Sequence, residues 1–237
     1  MTFFDNKVLK IVLSVLFSGI IFCFYIFLAT SSTYTYRGLY YACIVLSFIF
    51  AFIFMRRNPK QMTLTAALLF ACCADYFLIL NFVVSHSPTD QIFGMLAFCG
   101  LQICLAIYTW FLVQQFNWRL TILIIRVVIT TLVAIVFPCL QLGLLEILSV
   151  VYIANFLITV IVTACHAKTQ WLTLSGMISF FICDIIIGLT NGGGAILGIN
   201  TTWLASGDYA FFFYVPGIFL IALSSVWANK SGLTPLR

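Results

Sequence analysis

Residues 62–84, with the sequence MTLTAALLFACCADYFLILNFVV, are apolar along almost their whole length and contain one charged side chain, that of Asp75. A helix needs about 20 mostly apolar residues to cross a bilayer, so this segment is long enough to span one. An ionised carboxylate near the bilayer centre costs about 2.5 kcal/mol or more. The segment therefore predicts a transmembrane helix with a costly acid inside it.

The composition of the whole chain is that of a membrane protein. Of its 237 residues, 64% are hydrophobic and 7% are charged, whereas roughly a quarter of the residues of a soluble domain are charged. We therefore predict an all-α polytopic membrane protein, built as a single transmembrane domain over residues 1–237. The eight predicted helices are Val8–Ala29, Gly38–Met55, Met62–Val84, Ile92–Gln114, Leu120–Phe137, Leu142–Cys165, Trp171–Thr190 and Ala210–Ala228.

The basic residues predict the orientation of these helices. The loops on one side hold Arg37 alone, and both chain ends and the loops on the other side hold Lys7, Lys10, Arg56, Arg57, Lys60, Arg119, Lys168, Lys230 and Arg237. The positive-inside rule then places both termini in the cytoplasm, and we expect a multi-pass protein of a bacterial cell membrane. Arg126 lies inside the fifth helix, and we expect its long side chain to reach the headgroups. The longest outer connection, residues 191–208, is either a lid-like element or a simple loop.

Two segments of the chain are similar to each other. Residues 63–75, TLTAALLFACCAD, end in Asp75, and residues 173–184, TLSGMISFFICD, end in Asp184. Both belong to predicted helices that run from the cytoplasmic to the outer side. The similarity indicates a parallel repeat of two four-helix halves.

The two aspartates are predicted to lie at the same depth. Each is thirteen residues past the start of its predicted helix, a rise of about 20 Å. Gln102 also falls near the bilayer midplane, and Asn155 and Tyr214 are further polar candidates. Buried acids in membranes usually face the bundle interior or a wet cavity, although each could also be a polar fastener between helices. We predict that the two carboxyl groups lie within ~10 Å of each other, with Gln102 and Tyr214 on the same cavity wall.

The sequence lacks the motifs of several common chemistries. It has no phosphate-binding loop, no GxSxG and no HExxH motif, and its nine cysteines form no CxxC pair. We therefore predict no metal and no cofactor, and we interpret the cysteines as small packing residues. The basic residues follow the topology and predict no nucleic-acid partner. The partners we expect are the bilayer and an amphiphile, on which two carboxylates could act by acid–base chemistry or as part of a proton-coupled carrier.

Four short motifs occur in the order and spacing of one membrane protein family. Residues 74–78, ADYFL, are similar to a Gly-Asp-x-x-Leu motif, and residues 180–184, FFICD, to a Phe-rich run that ends in Ser-Asp. Gly94 and Phe98 match a third motif, which continues with histidine where this chain has Gln102. Residues 214–221, YVPGIFLI, are similar to a Tyr–Gln–Leu-Ile motif, with isoleucine in place of the glutamine.

In these motifs the chain resembles the YhhN-like lysoplasmalogenases, which are eight-helix membrane proteins that hydrolyse the vinyl ether bond of lysoplasmalogens. The resemblance implies a substrate that is cleaved to a fatty aldehyde and a glycerophospho-ethanolamine or glycerophospho-choline. It also implies that Asp75 and Asp184 are catalytic. Gln102, Tyr214 and Asn155 are candidate substrate-binding residues, and Gln102 can form hydrogen bonds but cannot exchange protons as histidine does.

Two carboxyl groups suggest a mechanism for such a hydrolysis. One aspartate, held in its protonated form, would protonate the vinyl ether carbon, and the other, ionised, would stabilise the oxocarbenium ion and activate water. The alternative is a protein that binds or transports a lipid or small amphiphile on the same scaffold without hydrolysing it.

Overall fold

The computed structural model describes residues 7–30, 36–55, 58–81, 87–139, 143–196 and 209–227. These residues form eight α-helices, which agrees with the predicted number and with the predicted all-α class. In chain order they are α1 (Lys7–Thr30), α2 (Tyr36–Ile53), α3 (Pro59–Asp75), α4 (Pro88–Leu112), α5 (Phe116–Cys139), α6 (Leu144–Ala164), α7 (Ala167–Ile196) and α8 (Tyr209–Trp227).

The helices have the length and composition of membrane spans. Six of them, α3 to α8, are long and apolar enough to cross a bilayer, and shorter apolar segments occur in α1 and α2 at Val8–Cys23 and Gly38–Ile53. The chain is therefore a multi-pass membrane protein. The cytoplasmic placement of the termini and the bacterial membrane stay predictions. Helix α7 continues to Ile196, so the first part of the predicted 191–208 connection is helical, and residues 197–208 lie outside the described part of the chain.

The packing of the helices follows the predicted repeat. Helix α1 packs on α2, α2 on α3, and α3 on α4, and in the second half α5 packs on α6, α6 on α7, and α7 on α8. The halves are joined by two equivalent contacts, α4 with α6 and α8 with α2. Two contacts break the symmetry, because α8 also packs on α3 and on α1. The corresponding helix α4 meets α7 through side chains such as Phe98 and Phe180, but it makes no packing of that extent with α7 or α5 among the described residues.

Glycines bring α7 and α8 into backbone contact. A Cβ atom added to Gly217 would lie 2.9 Å from the carbonyl oxygen of Gly176 and 2.9 Å from the backbone nitrogen of Phe180. A Cβ on Gly176 would lie 2.7 Å from the carbonyl oxygen of Gly217. Small residues allow this close approach in membrane bundles. The contact holds the segment of α7 that precedes Asp184 against the segment of α8 that carries Tyr214.

Two helices are irregular close to the predicted site. Helix α3 ends at Asp75 and continues as a π-helix, Tyr76–Asn81, and π-helical turns are rare and often occur at functional sites. Helix α8 contains Pro216, which cannot donate a backbone hydrogen bond. Ser179 of α7 donates to the carbonyl of Phe213 at 2.8 Å, so a side chain from the neighbouring helix supports the backbone at this point.

The first helix of each half forms the outside of the bundle. Apolar side chains that are largely exposed occur along α1 and α5, and include Val8, Val15, Phe22, Phe116, Ile124 and Ile135. In a membrane these side chains contact acyl chains, which are as apolar as they are.

The expectation that Arg126 reaches the headgroups is wrong. Its side chain is only 6% exposed, and its guanidinium donates to the Asn155 carbonyl at 2.9 Å and to the Thr159 hydroxyl at 2.9 Å. A further bond of 3.4 Å goes to the hydroxyl of Thr109 on α4. The polar groups of α4 and α6 satisfy the guanidinium inside the protein, and its side chain therefore does not extend to the surface.

Candidate active site

Asp75 lies at the end of the regular part of α3 and is almost fully buried, with 3% of its surface exposed. The hydroxyl of Tyr214 on α8 donates a hydrogen bond of 2.8 Å to its Oδ2 atom. Tyr214 is itself 2% exposed. The contact between α8 and α3 therefore brings together a carboxyl group and a phenol, which form a buried hydrogen-bonded pair.

Asp184 on α7 forms a second pair of the same kind. The hydroxyl of Tyr152 on α6 donates to its Oδ2 atom at 2.8 Å. Tyr152 is buried, whereas Asp184 keeps part of its surface exposed. The two aspartates therefore differ in the exposure of the whole residue, while each carboxyl group accepts a hydrogen bond from a buried tyrosine.

Aromatic rings connect the two pairs. The ring of Phe180, one helical turn before Asp184, lies 4.8 Å from the ring of Tyr214, centroid to centroid. Phe98 of α4 lies 6.1 Å from Phe180 and 5.5 Å from Tyr152. The structure thus brings the two predicted acids to one region, while the separation of ~10 Å between their carboxyl groups and their catalytic roles stay predictions.

Gln102 on α4 belongs to the same region and lacks hydrogen-bond partners. It is 5% exposed, and neither its side-chain nitrogen nor its side-chain oxygen makes a hydrogen bond. The amide approaches the Tyr152 hydroxyl, but no bond of normal geometry forms between them. A buried amide without partners costs about 1–3 kcal/mol. Gln102 stands one helical turn after Phe98, which contacts Tyr152, so its amide is well placed to bind a polar atom of a ligand at the Tyr152–Asp184 pair.

The repeat also relates the polar residues around the acids. If α3 corresponds to α7, then α6 corresponds to α2 and α8 to α4. On α2, the helix that corresponds to α6, Tyr40 is 2% exposed and its ring lies 5.7 Å from the Tyr214 ring. Gln102 and Tyr214 lie on the corresponding helices α4 and α8. Each acid therefore has polar residues from equivalent helices.

Asn155 lies in a different cluster. Its side-chain nitrogen donates to the Thr130 hydroxyl at 3.0 Å and to the Val151 carbonyl at 2.9 Å, and its carbonyl accepts from Arg126. The structure thus places Asn155 beside Arg126 on α5, and its predicted part in substrate binding has no support from this geometry. We leave it out of the proposed site.

The prediction from sequence did not include Tyr152, Tyr40 or Phe180. Phe180 stands four residues before Asp184, so helical periodicity alone puts both on one face. The tyrosines would have been found by extending the repeat to the helix before each acid, because α2 and α6 both carry a tyrosine in their first half. Their bonds and contacts depend on helix rotation, which the repeat does not determine.

The described residues form neither a metal site nor a disulfide. No group of three or more His, Cys, Asp or Glu side chains that could hold a metal ion occurs among them. The cysteines whose side chains the structure describes are free, and they are Cys23, Cys43, Cys72, Cys73, Cys99, Cys104, Cys165 and Cys183.

The chain was compared with curated proteins, with solved structures and with models of protein families. No curated protein and no solved structure matches the chain. The model of the YhhN family matches residues 38–225. This range contains both aspartate–tyrosine pairs, Gln102 and helices α3 to α7 in full, and it covers well over half of the sequence. The chain therefore belongs to the YhhN family.

Proposed function

We propose that the protein hydrolyses the vinyl ether bond of lysoplasmalogen, with Asp75 and Asp184 as its catalytic residues. The observation that carries this proposal is the presence of two tyrosine-bonded aspartates around Phe180. Vinyl ether hydrolysis needs an acid that protonates carbon and a base that activates water, and two carboxyl groups can supply both functions. The resemblance of the motifs to the lysoplasmalogenases supplies the substrate.

The reaction begins with proton transfer from one aspartic acid to the outer carbon of the double bond. The carbon next to the ether oxygen becomes an oxocarbenium ion, which the second, ionised aspartate stabilises electrostatically. Water adds to that carbon and gives its proton to the carboxylate. As the carbon–oxygen bond of the hemiacetal breaks, the second aspartate returns its proton to the glycerol oxygen and the first takes the proton of the hemiacetal hydroxyl. This step releases a fatty aldehyde, leaves a hydroxyl on the glycerol and restores both carboxyl groups to their starting states. The net change is the addition of one water molecule and the cleavage of one bond.

The tyrosines and the glutamine position these groups. Tyr214 and Tyr152 each hold one oxygen of an aspartate, so the other oxygen of each carboxyl group is left for the reaction. Gln102 would bind the ether oxygen or the attacking water through its unpartnered amide. Because Asp184 is the more exposed acid, its side of the site is where an amphiphile would enter from the membrane. The alkenyl chain would then extend along the apolar surface of the bundle.

The test is release of aldehyde from 1-alkenyl lysophosphatidylethanolamine by the purified protein in detergent. The Asp75→Asn, Asp184→Asn double variant is the control, and the saturated 1-alkyl analogue should not be cleaved because it has no double bond to protonate. A reaction run in D₂O should place one deuteron on the carbon next to the aldehyde. Release no greater than that of the double variant would remove the hydrolase proposal. Flux of intact substrate in proteoliposomes that depends on Asp75 would then favour the transport alternative.

A further inference from the structure

A cavity with polar side chains in its lining lies at the end of the bundle away from the aspartate pairs. It has a volume of about 740 Å³ and is formed where α3 and α7 begin and where α4 and α8 end. Its lining includes three basic residues, Lys60, His166 and Lys168, and the polar residues Tyr108, Gln170 and Thr173. The positive-inside rule assigns this end to the cytoplasm.

The charge around this cavity is positive. Of the four acidic residues in the described part of the chain, Asp90 and Glu146 lie in the first turns of α4 and α6, which is the opposite end of the bundle. The other two are Asp75 and Asp184 in the site above. The amino-terminal ends of α3 and α7 also point to the cavity, and a helix carries partial positive charge there. Lysines, a histidine and two helix amino termini together favour an anion.

A hydrogen-bond network orients one more donor in the cavity. The Tyr108 hydroxyl donates to Oε1 of Gln170 at 2.8 Å, and the Thr173 hydroxyl approaches the same oxygen at 3.5 Å. With its oxygen occupied, Gln170 has only N–H groups to offer a ligand. Gln170 also has non-helical backbone angles, φ −125° and ψ 27°, inside α7. The side chain therefore lies at a kink in the wall of the cavity and presents donors instead of acceptors.

We propose that this cavity binds the phosphate group of a glycerol phosphate, either free or as the headgroup of an anionic phospholipid. Its volume lies within the range of small-molecule sites, about 300–1,000 Å³. Trp171 and Trp227 line it beside the polar residues, and tryptophan is enriched where membrane proteins meet the headgroup region. Cations and N–H donors would hold the phosphate oxygens, while the indole rings would contact the glycerol.

This cavity is distinct from the site of the proposed hydrolysis. Leu64 lines the cavity, and Asp75 is eleven residues further along α3, a rise of about 16 Å. The phosphorus of a lysoplasmalogen and its ether oxygen are five bonds apart, which is at most about 7 Å with ordinary bond lengths. One substrate molecule therefore cannot place its phosphate in the cavity and its vinyl ether at Asp75. The phosphate site does not depend on the hydrolase activity.

The proposal is tested by binding measurements with two probes on the full chain in neutral detergent. Calorimetric titration with sn-glycerol 3-phosphate reports a free ligand, and native mass spectrometry with phosphatidylglycerol against phosphatidylcholine reports a headgroup. We expect saturable binding of at least one probe that weakens as sodium chloride is added. We expect the Lys60→Gln, Lys168→Gln double variant to bind at least about 10-fold more weakly, since a charged hydrogen bond contributes about 1.5–3 kcal/mol. Binding of glycerol phosphate would identify a free ligand, and binding of phosphatidylglycerol alone a lipid.

Two further variants make the result decisive. Arg37 lies in the first turn of α2, at the opposite end of the bundle, so Arg37→Gln removes a positive charge far from the cavity and should bind like the wild type. Lys168 is exposed, so Lys168→Glu should fold even if the double variant does not, and it should weaken binding. Three results would overturn the proposal, namely no saturable binding of either probe, unchanged binding by the Lys60 and Lys168 variants, or equal loss in the Arg37 variant.

Discussion

Replacing Tyr214 with phenylalanine removes one oxygen atom from the protein and, with it, the hydrogen bond to Asp75. The bond is 2.8 Å long and joins two side chains that are 2% and 3% exposed, so water has little access to replace the lost donor. A hydrogen bond contributes about 0.5–1.5 kcal/mol between neutral groups and about 1.5–3 kcal/mol when one group is charged. If the bond orients Asp75 for catalysis, its loss should lower kcat/KM for aldehyde release by roughly 2- to 150-fold, depending on whether Asp75 is the protonated or the ionised acid, since about 1.4 kcal/mol corresponds to a factor of ten.

The matched control for this variant is Ser47→Ala. Ser47 is also buried, and its hydroxyl donates a bond of 2.8 Å to the Cys43 carbonyl within α2. Both variants lose one buried hydroxyl, but only Tyr214→Phe should lose activity. Thermal unfolding in detergent separates this effect from a loss of fold. The same change at Tyr152 should reduce activity through Asp184.

A double-mutant cycle tests whether Tyr214 acts through Asp75. In the Asp75→Asn background, Tyr214→Phe should cause little further loss of activity, because the group that it positions is already gone. If Tyr214→Phe retains wild-type kcat/KM, or if its effect is the same with and without Asp75, the positioning role is wrong.

Three further predictions concern stability, and each is measured by thermal or denaturant unfolding in detergent. Gln102→Leu removes a buried amide without partners, so it should stabilise the protein by about 1–3 kcal/mol while lowering aldehyde release; an unchanged or lower stability would contradict the described packing. Gly217→Ala should lower the free energy of unfolding by about 1–3 kcal/mol, because the added Cβ would lie 2.9 Å from the Gly176 carbonyl oxygen. At Gly188 nothing lies within 4 Å of an added Cβ, so Gly188→Ala should leave the stability unchanged or raise it slightly. Arg126→Met, which fills the space of the buried side chain, should be more stable than Arg126→Ala by about 2 kcal/mol or more, and equal stability would argue that the residue is not packed between helices.

Those features of the fold that depend on hydrophobic length could be predicted from the sequence. Eight apolar segments predict eight helices because a span must satisfy its backbone internally over about 20 residues. The similarity of residues 63–75 and 173–184 predicts two related halves, and the helix contacts follow that relation. Counting residues from the helix starts predicts that Asp75 and Asp184 lie at similar depth. None of these inferences requires knowledge of which helices touch.

The side-chain partners were decided by tertiary structure, because they depend on how each helix is rotated about its own axis. In a membrane bundle the lipid-facing side is as apolar as the buried side, so the sequence carries little signal for that rotation. For this reason the prediction for Arg126 was wrong, Asn155 lies beside Arg126 instead of the acids, and Tyr152 was not identified as the partner of Asp184. The contact of α8 with α3, which brings Tyr214 to Asp75, joins the two halves and has no counterpart of the same extent between α4 and α7 among the described residues, so not even the repeat could indicate it.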